Sequence, residues 1–133
     1  MSRTAASRPR PLSPHLTAYR WPVTMAMSIL HRITGGALYF GTLGVAWWLI
    51  AAATSERQFA LVSWAAGTWL GLLVLFGYSW VLFHHMMGGV RHLVWDTGTG
   101  LEKNNSRKIA WATLAASLAL TVLTWLTVVL VGG

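Results

Sequence analysis

The stretch from Phe83 to Asp96, FHHMMGGVRHLVWD, decides how the chain is read, because it sets three histidines and an arginine at the end of a segment otherwise suited only to lipid. Gln58 to Phe83 carries no charged residue and exceeds the about 20 residues that a helix needs to cross a bilayer. On a helix, His85 and His92 are seven residues apart, so they fall within roughly 20° of one face and about 10 Å apart along the axis. Gly88 and Gly89 lie between them, on or near that face. Bare glycine flanked by two imidazoles leaves room for a flat ligand, and a neutral imidazole is a good axial ligand for haem iron. His84 points about 100° away and cannot serve the same face, so packing or hydrogen bonding is its expected role.

The composition around this stretch excludes a soluble domain. Of 133 residues, 55% are hydrophobic and 10% charged, with a formal net charge of +7. That charge does not read as a nucleic-acid surface, because its distribution follows a membrane topology. Apart from Arg57, every Lys and Arg lies at or before Arg32 or between Arg91 and Lys108. The positive-inside rule then puts the N-terminus and the second loop in the cytoplasm and the first loop and C-terminus outside. There is no cysteine, which removes disulfides, iron–sulfur ligation and thiolate chemistry from this chain. Any redox role must come from a bound group.

The fold class expected is an all-α integral membrane protein of three transmembrane helices in one domain, 1–133. Residues 1–22 hold all four prolines, Pro9, Pro11, Pro14 and Pro22, and read as an extended cytoplasmic arm. Helix 1 is expected over 23–53, with Trp47 and Trp48 at the outer interface. A cleaved signal peptide ending near Ala51 to Ala53 would have an apolar region that is too long. Thr54 to Arg57 is a tight outer turn into helix 2, expected over 58–95, where Ser63, Gly67 and Gly71 recur every fourth residue as a packing stripe. A cytoplasmic loop over 96–108 leads to helix 3, 109–133, which holds no titratable side chain.

A second polar cluster, Ser28, His31 and Arg32, sits at the cytoplasmic start of helix 1, on one face by its spacing of three and four. Solvation of a helix end is the competing reading for this cluster, as a satisfied bundle histidine is for His85 and snorkelling into headgroups is for Arg91. Charge counting favours function. The acids of the chain number 3, Glu56, Asp96 and Glu102, and Glu56 lies on the far side of the membrane. Arg32 and Arg91 therefore lack internal carboxylates at their depth, leaving haem propionates, a partner's acids or anionic lipid to supply the counter-charge. Hydroxyl and guanidinium donors beside a histidine also suit the carbonyls of a quinone, which takes up protons with its electrons.

Three blocks carry a family resemblance: RPRPLSPHLTAYRWP at 8–22, SILHRITG at 28–35 and HMMGGVRHLVWDTGTGLE at 85–102. The chain resembles the cytochrome b membrane-anchor subunit of succinate dehydrogenase, respiratory Complex II, from Arg8 to helix 3. The resemblance implies a multi-pass protein of the bacterial inner membrane, or of the mitochondrial inner membrane in a eukaryote. A second small membrane subunit would share a haem b with it, His85 giving one axial ligand and the partner the other. Together the two would anchor a flavoprotein subunit and an iron–sulfur subunit, which supply the electrons. Ser28 and Arg32 match the family's ubiquinone-site residues, with His31, Arg91 and His92 near the haem propionates. The chain alone would not be an enzyme, but would contribute to the quinone-reduction site of a succinate:quinone oxidoreductase. Other readings stay open here: a fumarate reductase, a self-contained b-type cytochrome, or a haem-free anchor or proton-coupled transporter. The self-contained cytochrome needs a second histidine facing His85, and the sequence offers none at its expected depth.

Overall fold

The computed structural model describes residues 20–132, in which four helices follow one another: α1 (Val23–Thr54), α2 (Glu56–Gly67), α3 (Trp69–Asp96) and α4 (Lys103–Gly132). Among the described residues there is no strand. Helices α1, α3 and α4 are each long and apolar enough to cross a membrane. At 1.5 Å per residue even the shortest of them, α3 with 28 residues, outreaches the about 30 Å of a hydrocarbon core. The cytoplasmic arm expected over 1–22 lies, except for its last three residues, outside the described residues.

The side chains are arranged inside out relative to a soluble bundle. Tyr39, Phe40, Trp64, Trp69, Leu130 and Val131 stand outward, while the buried positions include Thr34, His84, Arg91, Thr113, Ser117 and Thr121. This is the pattern for a lipid solvent, where apolar surface needs no burial and small residues let helices approach closely. On α4, Ala110, Thr113, Ser117 and Thr121 recur at helical spacing and form the buried face. Their hydroxyls donate back to carbonyls of the same helix: Thr113 to Ile109 at 2.9 Å, Ser117 to Leu114 at 2.8 Å and Thr121 to Ser117 at 2.8 Å. No donor on that stripe is then left bare in the core.

Cross-helix contacts fix the order. Tyr78 lies over Gly41, His85 over Gly35 and His31 over Gly88, so α1 and α3 run antiparallel. The Trp125 indole donates to Ser79 at 3.3 Å and His84 meets Ser117 at 3.3 Å, so α3 and α4 are antiparallel too. Helix α3 is therefore in contact with both of its long neighbours.

Two boundaries differ from the sequence reading. The single helix expected over 58–95 is divided at Thr68, whose backbone is extended (φ −66°, ψ 157°). The Thr68 hydroxyl donates to Ala65 O at 2.7 Å and accepts from Gly71 N at 3.1 Å, closing one helix and capping the next. A Cβ at Gly71 would collide with the carbonyl oxygens of Ala65 and Ala66. The stripe Ser63, Gly67, Gly71 thus does not lie on one helix, and Gly71 serves the break. The loop expected over 96–108 is shorter, because α4 begins at Lys103. Gly98 and Gly100, at φ +78° and +74°, make the reversal that other residues would resist. At the other end of the bundle, Ser55 alone separates α1 from α2, within the tight turn expected over 54–57, and its hydroxyl accepts from Gln58 N at 3.3 Å.

Candidate site at the crossing of the first and third helices

The site forms where α1 and α3 exchange histidines. His85 reaches from α3 onto Gly35 of α1, and His31 reaches from α1 onto Gly88 of α3; either glycine with a Cβ would press on the opposing ring. The two imidazoles stack, centroids 4.1 Å apart and 6° from parallel. His92 stands 5.4 Å from His31 at a tilt of 51°, and its other side meets Trp95 edge-on at 5.3 Å. The predicted pairing of His85 with His92 on one face holds, but the flat group lying on Gly88 is the ring of His31. Gly89, by contrast, has open space where its Cβ would be.

The tautomer of His85 follows from its partners. Its Nδ1 lies 3.1 Å from the carbonyl oxygen of His31 and 3.5 Å from Thr34 Oγ1. The Thr34 hydroxyl already donates to the carbonyls of Leu30 and His31, each at 2.9 Å, so it has no proton to offer. Both neighbours are acceptors, and Nδ1 must carry the hydrogen. Nε2 then keeps its lone pair, the arrangement usual for a metal-ligating histidine whose other nitrogen donates to a carbonyl. His85 thus fits one axial bond to a haem iron. His31 stands at the same depth, where the sequence suggested no histidine. The two rings stack in contact and leave no space for a haem between them, so His31 is not placed to give the same iron a second ligand.

His84 does what its face requires. It is 1% exposed, and its Nδ1 meets Ser117 Oγ, which itself donates to Leu114 O, so the histidine donates to the serine. Its ring also lies 5.2 Å from that of Trp80. Arg91 shares that side of α3. It is 2% exposed, and its Cζ is 5.0 Å from the Trp95 ring centroid. Arg91 is thus buried and His92 exposed, although both rest against Trp95. Ser28 is half-buried and Arg32 exposed on α1, and neither has a hydrogen-bond or ion-pair partner among the described residues.

Sequence reasoning missed Thr34 and Gly35. Their signal was present in HRITG at 31–35, where a small residue three or four positions after His31 keeps the same face of α1 open to a neighbour.

Comparison with known proteins bears on what this crossing is for. Residues 6–124 match the family model described as the succinate dehydrogenase/fumarate reductase transmembrane subunit. The chain belongs to that family. The succinate dehydrogenase cytochrome b556 subunit of Paracoccus denitrificans is 47% identical over 115 residues, covering 86% of this chain and 88% of that protein. The protein of the same description from Rickettsia prowazekii is 39% identical, over 87% of this chain and 90% of that one. The mitochondrial succinate dehydrogenase cytochrome b560 subunit of Sus scrofa is 43% identical over 94 residues, which is 69% of this chain and 56% of that protein. The crossing of α1 and α3 lies wholly inside the matched region.

Proposed function

We propose that this chain is the haem b-binding and quinone-binding membrane anchor of a succinate dehydrogenase, passing electrons from an iron–sulfur subunit to ubiquinone. The observation that carries the reading is the His85 tautomer: Nδ1–H is committed to the His31 carbonyl, leaving Nε2 as a ligand on a half-buried face. When bound, haem b supplies a one-electron centre at its iron. His85 would give the iron one ligand through Nε2, and a second small membrane subunit would give another. His31 and His92 border the same face, where, with Arg91 beside Trp95, they would stand near the propionates.

On the same side of α1, Ser28 and Arg32 stand one turn apart, about 6 Å between their Cβ atoms. Their unpartnered hydroxyl and guanidinium bind the carbonyl oxygens of the quinone head group. The planar fork of arginine can serve two acceptors at once, which a lysine cannot. The arm, Arg20, Arg32 and the basic residues after Arg91 face the cytoplasm, or the matrix in a mitochondrion, where flavoprotein and iron–sulfur subunits dock. The chain itself contains no succinate chemistry.

The test is a reduced-minus-oxidised optical spectrum of the complex purified through a tag on this chain. A b-type haem spectrum together with succinate-dependent quinone reduction is expected. A haem-free complex would contradict the reading. Reporter tags at Ser2 and Gly133 test orientation separately and should fall on opposite sides of the membrane.

A further inference from the structure

Arg91 raises a charge question that the His31–His85 site does not answer. Its Nε and Nη1 are buried without a hydrogen-bond partner, and no described acid forms an ion pair with it. The contact with Trp95 satisfies no N–H. A guanidinium does not shed its proton in proteins and a buried charge in a membrane calls for a counter-charge, which no acid among the described residues supplies.

The surroundings say what kind of anion. Arg91 and Thr113 line an open groove of about 180 Å³ between α3 and α4, walled by Met87, Val90 and Val94 on one helix and Ile109, Ala112 and Ala116 on the other. Spacings of three and four make each wall a stripe along its helix, so the groove runs with the helices and therefore with lipid acyl chains. It is large enough for water, but an ordered water needs polar partners. Apart from Arg91, the walls offer only the Thr113 hydroxyl, already committed to Ile109 O. Lys108, exposed, directly precedes Ile109, and Lys103 and Arg107 add charge at the same end.

A buried guanidinium at an apolar groove with a cationic rim has the chemistry of a site for an amphiphilic anion. We infer that the α3–α4 groove holds one anionic phospholipid, its phosphate on Arg91 and an acyl chain running from there past Met87 and Ala116. A haem propionate is equally anionic, but it has no tail for the groove.

The complex, exchanged into phosphatidylglycerol and stripped by detergent, should retain one such lipid by native mass spectrometry. Arg91→Gln should lower that retention by about tenfold or more, the loss of a hydrogen bond to a charged group. Ala112→Phe fills the groove from its exposed wall and keeps the Arg91 charge. It should also expel the lipid while leaving the haem spectrum unchanged, and it decides alone if Arg91→Gln does not accumulate. Lipid retained in either variant, or none retained by the unsubstituted complex, overturns the inference. So does a haem shift in Arg91→Gln with lipid retention unchanged, which would give the guanidinium to a propionate.

Discussion

His31 and His85 lie face to face, 4.1 Å between centroids, and each ring rests on a glycine of the other's helix. The stack is a wedge between α1 and α3, and it ties the geometry of a candidate iron ligand to the helix that carries the candidate quinone residues.

The glycines give the first prediction. A Cβ at Gly88 would press on His31, which cannot retreat because His85 is stacked on its other side. Overpacking of this kind costs about 1–3 kcal/mol. Gly88→Ala should lower the thermal stability of the complex and broaden or shift its haem band, while Gly89→Ala, with open space around it, should leave both unchanged. Equal effects of the two substitutions would remove the wedge from the account.

His84 is predicted to be structural. Ser117→Ala leaves the His84 Nδ1–H without an acceptor in a buried position, a loss of about 1–3 kcal/mol. Melting of the purified complex should fall accordingly, with the haem spectrum intact. A spectrum that changes in Ser117→Ala would link His84 to the iron instead.

Much of this arrangement was legible in the sequence. The three long spans follow from uncharged runs, and the separation of His84 from His85 follows from 100° per residue. The break at Thr68 was not, because nothing charged punctuates Gln58 to Phe83 and the break depends on a hydroxyl that bonds locally and on a glycine three residues later. Residues 103–108 read as loop because Asn104 and Asn105 are weak helix formers, yet they continue α4. The stack of His31 on His85 joins residues 54 apart and is a property of helix packing, which no local pattern encodes.

Ser28 and Arg32 are predicted to act on quinone alone. A hydrogen bond to a charged donor contributes about 1.5–3 kcal/mol, or roughly ten- to a hundredfold in rate. Ser28→Ala and Arg32→Leu should lower succinate–quinone reductase activity by about that factor, while reduction of an artificial dye by succinate persists. Arg32→Lys should restore little. Parallel loss of both activities with protein level would make these residues structural.

The central claim is that His85, and not its neighbour, binds the iron. The most direct measurement is the reduced-minus-oxidised spectrum of the intact complex carrying His85→Ala, beside His84→Ala, with subunit content quantified in each. His85→Ala should remove or strongly shift the b-type bands at normal protein level, while assembled His84→Ala retains them. An unaltered spectrum in fully assembled His85→Ala would contradict it.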